Sequence, residues 1–502
     1  MSPISELAAV QLGFPVRIRA THILNVLFLT LLMRSGFEIL SAHPRLCWND
    51  GCRPGSEWLR LSKRKPQPPG ALWTARDEEV SLPSWIALPG RKKLGLGRHW
   101  HFLSVSAWIL TGLVYVVLLF TMDEWRRLIP TTWAVFPHAW QDLRTYLTFQ
   151  LPPAGHPYNA LQQLTYASVI FLLAPLSILT GAAMSPALAA RFPWYTRLFG
   201  GRQAARSLHF LSLLAFLAFT IVHTLMVVAH GLPEEWGKIV LGVQEGHQTL
   251  AVIVGITGLL IIALIHVLAT WGSLHRPRRV QHVLQIIDPL RRGLFHHLSS
   301  KQAYRTTDIS PYFWVNGRPP RDAGYETLAQ NHFAGWRLEV GGLVERPLRL
   351  SLADLGQMPH QSQITKHVCI QGWSGIAEWR GVPLGHIIEQ CRPLPAARYA
   401  VFHALDDKLI TEPELGGRGH FYETIDLELA RHPQTLLADA MNGCPLPPEH
   451  GAPLRLRVET QLGFKMVKYL RAIEFVADYD RLGQGQGGWR EDVQYYSQDA
   501  GI

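Results

Sequence analysis

The sequence predicts a multi-domain protein in which an all-α transmembrane bundle of five spans is followed by a water-soluble α+β domain. Charged residues make up only 17% of the 502 residues, whereas soluble proteins carry about a quarter. The first half contains five apolar stretches long enough to cross a bilayer as helices. From about Pro277 onward, short strand-like segments alternate with turns rich in proline and glycine. We therefore expect a membrane domain over 1–276, a linker over 277–300 and a soluble domain over 301–502.

The five predicted spans each hold about twenty mostly apolar residues, which suits a hydrocarbon core about 30 Å thick. They cover residues 22–42, 102–122, 164–184, 208–230 and 251–272. The last four contain no Asp, Glu, Lys or Arg. The first carries Arg34 and Glu38 on one helical face, where the two can neutralise each other or lie at the interface. Basic residues lie mostly between the spans, so the net charge of +10 indicates membrane topology and no nucleic-acid partner.

Four histidines occupy matching depths in the predicted bundle. His209 and His223 lie fourteen residues apart in the fourth span, which returns a helix to within about 40° of the same face. His101 opens the second span and His22 opens the first. Because neighbouring helices alternate in direction, His101 can meet His209, and His22 can meet His223. Neutral imidazole is a good axial ligand for haem iron, so this pattern predicts two haem sites. The alternatives are hydrogen-bonded core histidines, or a non-haem transporter or sensor.

Other polar residues near the outer pair leave choices open. His99 competes with His101 as a ligand, and the deeper position favours His101. Three arginines flank the proposed outer ligands and can either pair with haem propionates or anchor the helix ends at the interface: Arg98, Arg202 and Arg206.

The histidine pattern resembles the di-haem b-type cytochrome subunits of formate dehydrogenases and nickel–iron hydrogenases. The resemblance covers about residues 15–272 and implies two b haems that pass electrons across the bilayer, often to or from quinone. A long first loop and a fifth span depart from the simplest four-helix members.

The soluble half carries its densest motif, HVCIQGWSGIAEWRGVPL, at residues 367–384. Cys369 precedes a Gly-Trp-Ser turn; taken alone, it would most often be an inert buried thiol. The whole segment resembles the molybdenum-binding loop of the sulfite-oxidase family, in particular its periplasmic methionine-sulfoxide-reductase branch. The resemblance implies that Cys369 gives a thiolate to a molybdenum ion held by a pterin dithiolene, as suits a soft metal ligand.

Residues 441–470 are similar to the pterin-phosphate segment of that family. The resemblance implies seven cofactor-binding residues: Asn316, Asp406, His450, Arg455, Met466, Val467 and Lys468. Classical sulfite oxidases place arginines just after the cysteine, where this chain has Ile370, Gln371 and Gly372. Too few residues follow Leu470 for the dimerisation domain of those enzymes. Both departures favour the reductase-like branch.

Together these features predict a membrane-bound, molybdopterin-dependent oxidoreductase of the bacterial-type inner membrane. We expect electrons to pass between a quinone pool or another donor, two b haems and molybdenum, with a small S- or N-oxide as the substrate. The alternatives are a haem electron carrier with a non-catalytic cofactor-binding domain, or an oxidase or dehydrogenase of a small sulfur compound. The sequence predicts no oligomeric state.

The sequence leaves open which face of the membrane carries the molybdenum domain. The loops on that face hold more Lys and Arg than the opposite loops, which favours the cytoplasm. Cys47 and Cys52 lie on the same face and could form a disulfide only on an oxidising side. The resemblance to an exported reductase also favours the oxidising side over the cytoplasm.

Overall fold

The chain forms two compact units, each built from separated segments. The computed structural model describes residues 13–63, 72–152, 158–243, 246–295, 302–417, 419–498 and 500. The first unit comprises Met1–Gly36, Trp100–Thr180 and Leu208–His275. The second comprises Phe37–His99, Gly181–Ser207 and Arg276–Ile502. Two of the loops that connect the spans therefore belong to the same unit as the C-terminal domain.

Five helices are long and apolar enough to cross a membrane, which confirms the predicted number of spans. They are α1 (Val16–Ala42), α2 (Leu94–Thr121), α4 (Ala160–Ala183), α5 (Arg202–Ala229) and α6 (Gln248–His275). Their best windows have mean hydropathies between 1.7 and 2.7. Most extend several residues beyond the predicted apolar run, because a helix continues through the interface after its apolar stretch has ended. A five-residue π-helical segment, Val169–Leu173, interrupts α4.

A shorter helix, α3 (Val135–Leu147), lies in the chain between the second and third spans. Large apolar side chains recur along it at helical spacing and are exposed: Trp133 just before the helix, Phe136, Trp140 and Leu147. An amphipathic helix with an exposed apolar face is typical of helices that lie in the membrane interface. We therefore interpret α3 as an interfacial helix.

The second unit contains two five-stranded sheets and a two-stranded ribbon. The ribbon pairs β1 (Arg45–Leu46) with β2 (Leu59–Arg60). In the first sheet the strand order is β4 (Leu348–Leu350), β3 (Leu338–Gly342), β12 (Leu470–Val476), β7 (Tyr399–Asp407) and β8 (His420–Asp426). Only β3 and β12 run parallel in it. The second sheet has the order β10 (Cys444–Pro445), β9 (Leu436–Met441), β6 (Ser374–Pro383) and β5 (Gln361–Val368), with β11 (Arg455–Arg457) also pairing with β9.

Alternating strands and short helices confirm the predicted α+β class. The largest hydrophobic cluster joins inward-facing strand residues, such as Phe402 and Phe475, to the apolar face of the helix Leu384–Cys391. Further helices of this unit cover Pro186–Arg191, Pro193–Leu198, Pro277–Leu284, Asp288–Phe295, Ala323–Gln330, Leu352–Gln357, Lys408–Thr411, Leu427–Ala430 and Trp489–Gln494. The predicted domain boundary at 300/301 lies outside the described residues, so the domain limits stay a prediction.

The described residues of the loop 37–99 are held by ionic and covalent links within the second unit. Cys47 and Cys52 form a disulfide. The buried Arg45 guanidinium binds Glu78 and lies 3.1 Å from Glu57 Oε1. Side chains of this loop reach the C-terminal domain, as described below.

Candidate cofactor sites

The four histidines of the first unit face one another in two pairs. The ring centres of His101 and His209 are 6.3 Å apart, and those of His22 and His223 are 6.5 Å apart. A metal–nitrogen bond is about 2 Å long and a ring centre lies about 1 Å beyond its nitrogen, so two imidazoles on one metal have centres roughly 6 Å apart. Each pair is therefore spaced as a bis-histidine ligand set. Their role as iron ligands stays a prediction.

Hydrogen bonds set the orientation of the rings. His209 Nδ1 lies 3.0 Å from the carbonyl oxygen of Ser177. Because a carbonyl only accepts, Nδ1 carries the proton and the Nε2 lone pair is available for a metal, an arrangement common among ligating histidines. His101 Nδ1 lies 3.1 Å from Ser35 Oγ. Both rings of this pair are thus held by their Nδ1 atoms.

The competing histidine, His99, and a further histidine, His266, have other partners. His99 is buried in the second unit, where its Nε2 lies 3.0 Å from the carbonyl oxygen of Tyr495. In the first unit, His266 lies 2.9 Å from Thr30 Oγ1 and 2.8 Å from Arg34 Nη1. This geometry favours His101 over His99 as a ligand.

Two of the three arginines first considered as propionate partners bind backbone carbonyls in the second unit. Arg202 Nη1 donates to the Gly372 oxygen at 2.7 Å. Arg206 donates to the carbonyl oxygens of Arg45 and His43, each at 2.5 Å. Neither guanidinium is a simple surface anchor, because each holds loop backbone in place.

Cys369 lies in the tight turn between β5 and β6. Its backbone N–H donates to the carbonyl oxygen of Trp373 at 3.0 Å, and the backbone N–H of Gly372 donates to the carbonyl oxygen of Cys369 at 3.1 Å. Gly372 has a φ of +122°, a conformation that favours glycine. Cys369 is 1% exposed, and burial raises the pKa of its thiol to about 12. The sulfur therefore needs a bound metal to ionise at neutral pH. Asn316 Nδ2 lies 3.5 Å from Cys369 Sγ and donates to it.

Positive groups line a small cavity of about 70 Å³ in the same unit. Burial, followed by the charge of Arg457, lowers the pKa of Arg455 to about 9. Burial and Arg455 lower the pKa of Lys468 to about 7. Burial and Lys468 lower the pKa of His450 to about 3. An anion in this cavity would relieve the repulsion, as a phosphate does in sites of this kind.

The cavity also presents polar atoms that suit a bound group. Arg455 Nε and Asn316 Oδ1 are buried without a hydrogen-bond partner among the described residues. Buried polar atoms of native proteins are normally paired. This donor and this acceptor therefore fit a phosphorylated, hydrogen-bonding cofactor such as molybdopterin.

The remaining predicted cofactor residues differ in their placement. Met466 lines the cavity. Asp406 also lines it, but its carboxylate is engaged by Lys408 Nζ at 2.5 Å and by Thr411 Oγ1 at 2.6 Å. Val467 is fully buried in the hydrophobic core and is not among the described residues that line the cavity. The side chain of Val467 thus serves packing, and its backbone remains the part that could meet a cofactor.

Sequence reasoning missed several side chains that line the cavity, among them His367 and Arg490. His367 Nδ1 lies 3.2 Å from Met466 Sδ, and a Cβ on Gly463 would lie 2.2 Å from His367 Nε2, so only glycine fits there. His367 stood inside the cysteine motif and could have been noticed. Arg490, whose Nη2 lies 3.6 Å from Glu412, comes from the C-terminal helix Trp489–Gln494. No local pattern linked it to the site.

A larger cavity of about 460 Å³ adjoins the cysteine turn. The loop 37–99 and the C-terminal domain both line it, and Gln371 Nε2 donates to Glu79 Oε1 at 2.6 Å across this boundary. Arg490 lines this cavity as well as the smaller one. The larger cavity is therefore the best candidate for the space that a substrate enters.

Comparison with known families supports the predicted class of both halves of the chain. The family described as prokaryotic cytochrome b561 matches residues 13–240, and the family described as oxidoreductase molybdopterin binding domain matches residues 326–482. The chain therefore joins a cytochrome b561-type membrane domain, with haem b as its cofactor, to a molybdopterin-binding oxidoreductase domain. It is an integral membrane protein.

Curated relatives show more specifically which proteins the chain resembles. The chain is 35% identical over 172 residues to the putative protein-methionine-sulfoxide reductase subunit YedZ1 of Azospira oryzae, covering 34% of this chain and 58% of that protein. It is 38% identical over 184 residues to the protein-methionine-sulfoxide reductase catalytic subunit MsrP of Xanthomonas axonopodis pv. citri, covering 36% and 56%. For MsrP of Campylobacter jejuni the identity is 34% over 161 residues, covering 30% and 53%. The chain thus spans just over half the length of these relatives.

A solved structure, the sulfane dehydrogenase SoxCD from Paracoccus pantotrophus, matches 29% of this chain and 39% of that chain. Its identity is 23% and its TM-score is 0.26, an overlap too small to inform the site. The resemblances to a b-type cytochrome and to the methionine-sulfoxide-reductase branch of the sulfite-oxidase family are confirmed by the family matches and the curated relatives.

Proposed function

We propose that this protein takes electrons from a quinol, carries them through two b haems and delivers them to a molybdenum centre that reduces a small S- or N-oxide. The observation that carries this proposal is that one chain holds two pairs of facing imidazoles together with a buried cysteine beside a cationic cavity. When a membrane electron carrier and an oxidoreductase site lie in one polypeptide, the carrier can supply the electrons that the site uses.

At the molybdenum site, each side chain has a separate task. Cys369 supplies the thiolate ligand, and Asn316 Nδ2 donates a hydrogen bond to its sulfur. Arg455 and Lys468 hold the cofactor phosphate, since the carboxylates that line the cavity, Asp406 and Glu412, form ion pairs with other cations such as Lys408. When bound, the cofactor supplies two-electron exchange of an oxygen atom with the substrate.

In the membrane domain, we assign one haem to His22 and His223 and one to His101 and His209. Two haems at different depths let single electrons cross the bilayer in steps. The donor that we favour is a lipid-soluble quinol, which can reach the first unit through the bilayer that surrounds its apolar helices.

A sulfoxide is the substrate that we favour. The curated relatives are named protein-methionine-sulfoxide reductases. Gln371 lies two residues after Cys369, in the stretch where a sulfite site would need an arginine. It donates a hydrogen bond to Glu79. This part of the cavity therefore suits a neutral S=O group better than an anion. The reaction consumes two electrons and two protons and converts a sulfoxide into a sulfide and water.

A single substitution tests the assignment. We expect Cys369→Ser to abolish sulfoxide turnover in purified full-length protein and to reduce molybdenum content, while the reduced-minus-oxidised haem spectrum stays unchanged. Cys444→Ser is the matched control, because Cys444 is exposed and is a free thiol. Sulfoxide reduction by the Cys369→Ser protein at the wild-type rate would exclude Cys369 as the metal ligand. Wild-type protein that contains haem but neither molybdenum nor activity would support the electron-carrier alternative.

A further inference from the structure

A chain of hydrogen bonds with a defined direction joins three polar side chains of the first unit. Asn159 is buried, and its Oδ1 accepts the backbone N–H of Gln162 at 2.8 Å as the N-cap of α4. This contact fixes the orientation of the amide, so Asn159 Nδ2 is the atom that points to Tyr146. Nδ2 donates to the Tyr146 hydroxyl oxygen at 3.2 Å. The tyrosine oxygen is therefore an acceptor here, and its own proton must go elsewhere.

His230 takes that proton. Its Nδ1 lies 2.8 Å from the carbonyl oxygen of Met226, which can only accept, so Nδ1 carries a hydrogen. His230 Nε2 is then the unprotonated nitrogen, and it lies 3.2 Å from the Tyr146 hydroxyl. The hydroxyl proton of Tyr146 thus points at a base. A proton that arrives at the tyrosine oxygen can displace the hydroxyl proton onto Nε2 without any side chain moving.

The position of this chain relates it to a proposed haem ligand. His230 follows His223 by seven residues, and its backbone N–H still bonds to Met226 O at 2.9 Å, so the helical path of α5 continues to it. Seven residues bring a helix back to within about 20° of the same face, about 10 Å further along the axis. His230 therefore lies on the helix face that carries His223, beyond it toward the helix end.

The surroundings suit a lipid-soluble ligand. Tyr146 belongs to the interfacial helix α3, whose apolar face is exposed. The residues just after it are also apolar and exposed: Leu147 is 68% exposed, Phe149 100% and Leu151 51%. Exposed apolar side chains around a polar, hydrogen-bonding centre at a membrane interface match a molecule with a polar head and a hydrocarbon tail.

We propose that Tyr146, His230 and Asn159 form the binding and proton-accepting site for the quinol head group. This inference rests on the proposed function, which supplies the haem as electron acceptor. Each quinol gives up two electrons and two protons and becomes a quinone. A proton passes from the quinol hydroxyl to the Tyr146 oxygen while the Tyr146 proton moves to His230 Nε2 and then to water. The second quinol proton then takes the same path. The electrons go singly to the site of His22 and His223.

The test measures haem reduction by decylubiquinol in purified full-length protein, by stopped-flow absorbance. Loss of a general base typically costs 10²–10⁴-fold, so we expect Tyr146→Phe and His230→Asn each to slow reduction at least about tenfold. Dithionite should reduce the haem fully in both variants, which shows that the membrane domain is folded. Two controls should keep the wild-type rate: Tyr158→Phe, a neighbouring tyrosine outside the hydrogen-bond chain, and His138→Asn, an exposed histidine of α3.

Binding is checked without turnover, by photolabelling the protein with an azido-quinone and mapping the peptides. We expect label within residues 133–151 or 226–231, and loss of the label when decylubiquinone is added in excess. Wild-type rates in both variants, or competed label elsewhere in the first unit, would overturn the site while the proposed function stands. If decylubiquinol failed to reduce the wild-type haem although dithionite did, the quinol donor itself would be wrong.

Discussion

At the scale of single residues, the cofactor cavity concentrates positive charge. Lys468 Nζ donates to two carbonyl oxygens, those of Asn316 at 2.7 Å and Glu449 at 3.0 Å, and neither bears a formal charge. Burial, followed by repulsion from its neighbour Arg455, lowers the pKa of Lys468 to about 7. Protein without cofactor therefore carries a destabilising group that bound phosphate would convert into a stabilising one.

We predict a pH-dependent effect of Lys468→Met on the cofactor-free protein. The folded-state pKa of about 7 lies below the unfolded value of about 10.4, so the unfolded chain binds more protons above pH 7 and the stability of the wild type rises with pH there. The variant should therefore melt above the wild type at pH 6, and this difference should shrink toward pH 9. A difference that is constant with pH would contradict the assigned repulsion. Cofactor-loaded protein should show the opposite order, with the variant less stable.

The two imidazole pairs make a separate prediction about haem content. We expect His209→Ala and His223→Ala each to lower the content from two haems per chain to one, because each removes one ligand of a different pair. The pyridine haemochrome assay counts the haem, and redox titration shows which component is lost. His138→Ala is the control. If either variant kept both haems, the ligand assignment for that pair would be wrong.

At the scale of elements, the loop 37–99 holds the Cys369 turn through Asp50. Its carboxylate accepts bonds from Lys366 Nζ at 2.7 Å, Ser374 Oγ at 3.0 Å and the backbone N–H of Gln203 at 3.3 Å. Lys366 and Ser374 flank the Cys369 turn, and Gln203 lies in the first turn of α5. Two segments distant in sequence, the β5–β6 hairpin and the start of α5, thus converge on one partly buried acid. The opposing effects of burial, which raises the pKa of Asp50, and of Lys366, which lowers it, leave this pKa below its usual value.

We predict that Asp50→Asn destabilises the second unit by about 3 kcal/mol, because it leaves the Lys366 cation buried without its partner. Glu345→Gln is the matched control: its ion pair with Arg392 is half-exposed on both sides and 3.8 Å long, so we expect a loss below about 1 kcal/mol. Thermal unfolding followed by near-UV circular dichroism compares the two. Equal losses would show that Asp50 is not a structural link.

Local patterns predicted much of the architecture at this scale. Hydropathy is a property of contiguous residues, so the five spans could be read directly, and helical periodicity placed His209 and His223 on one face. Contacts such as Asp50 with Lys366, or Arg490 with Glu412, join residues that no periodicity relates. The membership of the loop 37–99 in the second unit could therefore not be predicted. A motif match also does not tell which way a side chain points, so it could not predict that the Val467 side chain lies in the core.

At the scale of the whole molecule, the disulfide bears on topology. Cys47 and Cys52 are bonded within the unit that contains the molybdopterin domain. Disulfides persist in oxidising compartments and are rare in the cytosol. This favours the outer side of the inner membrane over the cytoplasmic side that the distribution of Lys and Arg suggests.

We therefore predict that Cys444, which is exposed in the same unit, reacts with a membrane-impermeant maleimide in spheroplasts. A Cys444→Ser protein should remain unlabelled, because the other two free cysteines are buried. Labelling that requires lysis of the cells would place this unit in the cytoplasm and would leave the disulfide without a suitable compartment.

The helix α5 has one further consequence. It is a single 28-residue helix that begins with Arg202 and Arg206, bound to loop carbonyls, and carries both His209 and His223. The number of residues between two positions on this helix fixes the angle between their side chains around the helix axis. One alanine inserted between Arg206 and His209 would swing both imidazoles by about 100° around the axis relative to the anchored first turn. The spacing between the two anchored arginines and the two histidines therefore sets the direction in which both imidazoles point from the helix.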